Sequence, residues 1–298
     1  MFDVMKPAHD DTPQRGTHRL PEIVNHSVPR GLLPFVERAV TVDYSDAVGA
    51  GWLVIPSGSF GLRAILSDSY APHDGLGSVD TSLIASGVFT KAIQASCRRP
   101  NAVLAVALTP LGAAILPLST SQLDSFADVA ATEVVGRPRA VQLRQRLSGA
   151  TSLSIKADAY FAWLEDMFQS LRPAYGRRLA LAEAADQMRQ GRVLSIEDAA
   201  RRVGVSRRQF ERDFRHHLGV SPKQYEQVAT FQRFAQLAWR GDALALIAAE
   251  LEMTDQSHLT RSVKALTGLT PAALLTQASH SALSRLTRPQ WGGRITYI

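Results

Sequence analysis

Near its carboxyl end the chain repeats itself, and that repeat restricts the folds open to it more than any other feature. Residues 195–225 read SIEDAARRVGVSRRQFERDFRHHLGVSPKQY, and residues 242–274 read DALALIAAELEMTDQSHLTRSVKALTGLTPAAL. Phe210, Arg212, Phe214, Gly219, Ser221 and Pro222 align, 49 positions on, with Leu259, Arg261, Val263, Gly268, Thr270 and Pro271. Before the turn the offset is 48, pairing Ala200 with Ala248 and Val203 with Leu251, and Thr254 is the additional residue. Two copies are too few for a solenoid, which needs several stacked repeats. The simpler reading is a pair of small units in tandem.

Each copy has helix-turn-helix grammar. In the first, Ser195 with Asp198 three residues on predicts a capping box, and Ile196, Ala199, Ala200 and Val203 give that helix one apolar face. Gly204 supplies a turn in which positive φ is free of steric cost. Ser206 with Gln209 predicts the cap of the next helix, and Phe210, Phe214 and Leu218 fall at i, i+4 and i+8 on one buried stripe. Gly219 ends that helix, and Pro222 starts another at the position where its missing N–H costs nothing. The new helix, from about 222 to 239, spans roughly 27 Å at 1.5 Å per residue. That length suits two recognition helices about one DNA turn apart, ~34 Å. Trp239, Tyr225, Leu259 and Val263 are expected in the core with the two phenylalanines.

The ordered motifs SxxQFERxFxxxxGxSPxxY and DQSHLxRxxKxxTGxTP, over residues 177–277 or so, resemble the DNA-binding domain of AraC/XylS-family transcription regulators. The resemblance implies double-stranded DNA as partner, with the head of each second helix in a major groove. Carried over by position, Arg208, Glu211 and Arg212 face bases in the first unit, and Gln256, Ser257, Thr260 and Arg261 in the second, with His258 close by. Arginine suits guanine, glutamine adenine, and glutamate cytosine, although Glu211 can equally pair with a neighbouring arginine. Arg207, Arg215 and Lys264 are candidate phosphate neutralisers, and Ser206 and Asp255, at the helix heads, complete the DNA-contact set. One departure stands out: where the family has glycine and an aromatic at the second turn, this chain has Glu252 and Met253. Methionine fills an apolar site readily, whereas Glu252 must strain the turn or reshape it.

Charge agrees with a polyanionic partner. The net charge of +6 divides unevenly: residues 171–298 hold 19 Lys/Arg against 11 Asp/Glu, and residues 1–170 hold 14 against 16. His216 and His217 are adjacent and so face apart on a helix, which makes a solvated face the better reading than a metal pair.

The first half reads differently. Residues 1–20 predict a loose tail, and 279–298 another. Short apolar runs at 52–55, 60–66, 83–89, 103–108 and 112–118, punctuated by Gly, Pro, Asn or Asp, read as strands of a sandwich or barrel. Pro56-Ser57-Gly58-Ser59 reads as a turn. A helix follows at 154–171 with Ile155, Ala159, Ala162, Trp163 and Met167 on one stripe, packed either on its own sheet or on a second copy. Arg172-Pro173-Ala174-Tyr175-Gly176 marks a boundary. The expectation is an α+β chain: a β-rich, cupin-like or related sensor over 21–172, then an all-α domain over 177–278 with two helix-turn-helix units joined by a long helix. Trp52, Phe60 and Phe89 line a ligand cavity or, more in keeping with strand aromatics, the core.

From the same resemblance follow a small-molecule effector or dimerisation role for the first domain, a homodimer, and RNA polymerase as a further partner. No cofactor or metal site is expected: His73 is isolated, and the lone Cys97 excludes an intrachain disulfide. With no apolar run of spanning length and no secretory leader, the cytoplasm is the expected location. The competing readings are a β-barrel enzyme with a DNA-binding appendage and a pure interaction module. No phosphate loop or nucleophile elbow favours the enzyme.

Overall fold

The computed structural model describes residues 21–46, 51–66, 83–96, 102–116, 129–130, 135–171, 176–192 and 195–279. The two expected tails (Ser279 apart), residues 172–175 of the boundary, His73, Cys97 and the side chain of Trp52 lie outside the description.

Residues 22–130 supply the strands. β1 (Glu22–His26), β2 (Val36–Asp43), β4 (Phe60–Ile65), β5 (Leu83–Ser86), β7 (Ala102–Leu108) and β8 (Val129–Ala130) form one antiparallel sheet in the order β1-β2-β7-β4-β5-β8, and β3 (Gly51–Val54) pairs with β6 (Ile93–Ser96) in a separate ribbon. The turn at 56–59 is pinned by a bridge between Ser57 and Phe89. Every residue of β7 is buried. Leu104, Val106 and Leu108 face the main core, while Val103 and Ala105 join Val40, Val42, Ile65 and Ile84 on the other side. A central strand covered on both faces reads as an unbroken apolar run, which is why no alternation marked it.

Two differences from the sequence reading have local causes. The described part of the run at 112–118, residues 112–116, is not a strand: it lies in and just after α1 (Pro110–Ile115), because Thr109 accepts a hydrogen bond from the Gly112 N–H at 3.1 Å and Pro110 occupies the first helical position. β1 and β2 were not anticipated, since Glu22, Asn25, Glu37 and Arg38 break their apolar pattern.

α2 (Arg137–Ser148) and α3 (Leu153–Leu171) cover one face of the sheet. α3 packs on its own sheet: the Tyr160 hydroxyl donates to the Leu62 carbonyl at 3.3 Å and Lys156 Nζ to the Leu66 carbonyl at 2.5 Å. Its buried stripe is Ala157, Tyr160, Phe161, Leu164 and Phe168 with Trp163 and Met167. The expected stripe is therefore displaced, leaving Ile155 and Ala162 exposed.

The rest is helical: α4 (Gly176–Arg189), α5 (Ile196–Val203), α6 (Arg207–Leu218), α7 (Pro222–Trp239), α8 (Leu244–Glu250), α9 (Gln256–Thr267) and α10 (Pro271–Ser279). The main core runs without a break from Leu104 and Leu108 through Phe168 to Phe210, Phe214 and Tyr225. A second core gathers Phe231, Phe234, Ile247, Leu259, Val263 and Leu274. α7 is the common spine, giving Tyr225 to the first core and Phe231 and Phe234 to the second. Trp239 is half-buried at the rim of the second core.

Candidate nucleic-acid interface

α5 and α6 form the first helix-turn-helix. Ser195 Oγ accepts the Asp198 N–H at 3.1 Å, Gly204 turns the chain at φ 76°, and Ser206 Oγ accepts the Gln209 N–H at 3.2 Å. α6 ends at Gly219, φ 73°. Neither anticipated capping box closes, because the reciprocal side chains bond elsewhere. Asp198 binds Arg201 and Arg202, each at 3.2 Å, and Gln209 donates to Asp213 at 2.6 Å. A full reciprocal box stands instead at Ser221 and Gln224, heading α7. Phe210, Phe214 and Leu218 are buried, with the Phe214 ring edge-on to Tyr225 at 5.5 Å. Burying that stripe orients the helix and leaves Arg208, Arg212 and Arg215 exposed.

Carboxylates order this cationic face. Arg207 pairs with Glu211 at 2.8 Å and with Glu197 across the turn, which lifts its pKa above the ordinary guanidinium value. Glu211 thus takes the arginine-pairing alternative. Arg212 donates to Gln209 Oε1 at 2.7 Å. Burial works against the Asp213 charge, yet hydrogen bonds from Gln209 and Arg177 hold its carboxyl below the usual range. An open groove of about 770 Å³ lies along this face, bounded by Ser206, Arg208, Arg212, Arg215 and His216 on α6 and by Ser221, Pro222 and Lys223 at the head of α7. Lys223 and His216 were not among the expected contact residues; the Ser-Pro helix start beside Lys223 was the available signal.

α8 and α9 repeat the arrangement. Glu252 sits at φ 55°, the only non-glycine residue with positive φ among those described. Its N–H reaches the Ala249 carbonyl at 3.0 Å and that of Met253 reaches Ala248 at 2.9 Å, matching Gly204 to Arg201 at 3.0 Å and Val205 to Ala200 at 3.1 Å. The second turn is therefore strained, not reshaped, and Met253 packs on the second core as the substitute for an aromatic. Asp255 accepts the His258 N–H at 2.7 Å, while Leu259 and Val263 point inward. Gln256, Ser257, His258, Arg261 and Lys264 are exposed. Thr260 is half-buried and donates its hydroxyl proton to the Gln256 carbonyl at 2.9 Å.

Residues 199–277 match the family profile described as a helix-turn-helix domain, which takes in both units and the helix between them. The C-terminal domain of this chain is an AraC-type helix-turn-helix domain. No curated protein matches the chain significantly. Among solved structures it is similar to ToxT from Vibrio cholerae, at 10% identity over 86% of this chain and 96% of that one, with a TM-score of 0.36. The same protein bound to an unsaturated fatty acid gives 10% identity, 89% and 98% coverage and a TM-score of 0.36. Bound to (E)-4-(8-methylnaphthalen-1-yl)but-3-enoic acid it gives 10%, 86%, 98% and 0.39. So distant a likeness leaves the domain arrangement to this chain's own contacts. In the AraC-type domain those contacts bring the expected first-unit residues to one groove and keep all but Thr260 of the expected second-unit residues exposed. Among the described residues, no group of three or more His, Cys, Asp or Glu could hold a metal ion, and no helix is long and apolar enough to cross a membrane.

Proposed function

We propose that this chain is a sequence-specific transcription regulator that reads double-stranded DNA in two successive major-groove segments, acting in the cytoplasm. The observation that carries the reading is the pair of equivalent capped helices, α6 and α9, each with an apolar face inward and a polar face outward, mostly cationic on α6 and with Arg261 and Lys264 among neutral groups on α9. Arg208, Arg212 and Arg261 pair with guanine edges and Gln256 with adenine, while Ser257, Thr260 and His258 make lesser contacts in the same groove. Arg207, Arg215, Lys264 and Lys223 take phosphates and set the register, together with the free backbone N–H groups of the helix heads that Ser206, Asp255 and Ser221 cap. Glu211 acts through Arg207, which it already holds.

The N-terminal domain is the regulatory half, responding to a small molecule or to a second copy, with RNA polymerase as the downstream partner. Support comes from the unbroken core between sheet and first unit. A ligand with different affinities for two states of the sheet shifts α6 with it.

Selection of sites from random duplex DNA tests the reading. The expected product is a pair of half-motifs about one helical turn apart. On that site Arg212→Ala should cost ~1–3 kcal/mol and relax one base pair of the first half-motif. Unselective binding, or equal affinity of the mutant, would remove α6 as a recognition helix.

A further inference from the structure

The N-terminal domain grips both helix-turn-helix units. On the first, α1 packs against α6 and against α4, the helix that itself packs on both α5 and α6, and Glu37 of β2 pairs with Arg189 in the last turn of α4. The two charged side chains are 6% and 18% exposed, and Ser59 Oγ donates to Glu37 at 3.2 Å. On the second unit, the Ala92 N–H, next to β6, donates to the Leu266 carbonyl in the last turn of α9 at 2.8 Å. Leu53 of β3 and Ile55 pack on the second core. Between these grips the turn at 56–59 rests on α7 itself, where a Cβ on Gly58 would stand 3.2 Å from Gln232 Oε1.

Glu37 owes its direction to a backbone irregularity. The register of β2 on β7 shifts between Val36 and Arg38, so Glu37 is the additional residue of a β-bulge. Bulges re-aim side chains. Val36 stays on the core side, and Glu37 is turned toward α4. A buried ion pair adds little net stability but penalises any arrangement that leaves one charge alone. It therefore serves better to specify one docking geometry than to strengthen it. α7 by itself joins the two units at a single helix; a body seated on both of them removes their freedom to pivot about it.

We propose that the N-terminal domain is a splint that holds the two recognition helices at one separation, with bulged Glu37 as its latch on the first unit and the β3–β6 ribbon as its rest on the second. The proposal builds on the DNA-binding reading above. Two modules on a rigid mount keep their joint affinity only where the half-motifs match that mount, whereas loosely joined modules tolerate other spacings.

The test uses the full chain and its selected duplex, with the half-motif spacing altered by one or two base pairs, and a duplex retaining only the first half-motif. Wild type should lose about tenfold or more in affinity off the native spacing. Glu37→Gln, and the double variant Glu37→Gln with Arg189→Gln, should bind the altered spacings within about threefold of the native one. Both should bind the single half-motif as wild type does. The double variant leaves neither Glu37 nor Arg189 as an orphaned charge, and the Asp186 carboxylate that Arg189 also holds is partly exposed to water, so it remains informative if the single variant folds poorly. Leu53→Ala should loosen the spacing rule from the other end. Spacing discrimination in the double variant as sharp as in wild type overturns the splint. Wild type that binds no duplex selectively at any spacing overturns the DNA-binding reading, and the splint with it.

Discussion

Glu252 shows what a single residue decides here. Its backbone occupies the left-handed region that Gly204 occupies in the first unit, and its side chain is exposed, so no burial compensates the strain. A left-handed L-residue costs about 1–2 kcal/mol, from which the larger unfolded-state entropy of glycine must be subtracted. Glu252→Gly should therefore stabilise the protein by about 1 kcal/mol, read as a raised urea midpoint at unchanged slope. An unchanged or lowered midpoint would show that the turn is not strained. The conflict was visible in the sequence because a turn's demand on φ is local. The tie of Arg207 to Glu197 was not, because it crosses from one helix to the next and depends on how α5 meets α6.

At the scale of the element, α6 carries a built-in acid sensitivity. His217, half-buried in its last turn, has a pKa lowered from 6.5 by burial, with Arg178 and His216 adding to the shift and Asp213 opposing it. The unfolded chain therefore takes up this proton first as pH falls below 6.5, and stability is lost from there down to the folded-state pKa. Asp213 acts in a lower window: its stabilisation is complete above 3.8 and disappears as pH falls through its depressed folded value. Urea denaturation of His217→Gln should lessen the slope just below pH 6.5, where half-buried His26 also contributes, and retain the one below 3.8. Identical pH profiles for variant and wild type would refute the assignment. Other elements show how far periodicity reaches. It located the single helix at 154–171 and two of its buried residues, Trp163 and Met167, but not the rest of the buried face, because α3 is apolar on more than one side and its neighbours chose among them.

Across the whole molecule, the sheet and the first helix-turn-helix share one core. Phe214 is fully buried at the helical end of it. Phe214→Ala should cost ~3–5 kcal/mol and lower hydrogen-exchange protection on β4 and β7 together with α6. Protection lost from α6 alone would separate the two into independent bodies. That continuity was hidden in the sequence, where a boundary near 172–176 suggested two self-contained parts. What the sequence did determine by itself is the double unit: caps, glycine stops and i, i+4 stripes act within about a dozen residues, so spacing alone encodes them. Only the tertiary structure decided that β2 bulges at Glu37, that its carboxylate meets Arg189 across 152 positions, and that Ala92 touches α9. No spacing rule governs such meetings, because they depend on where separate elements come to rest against a common core.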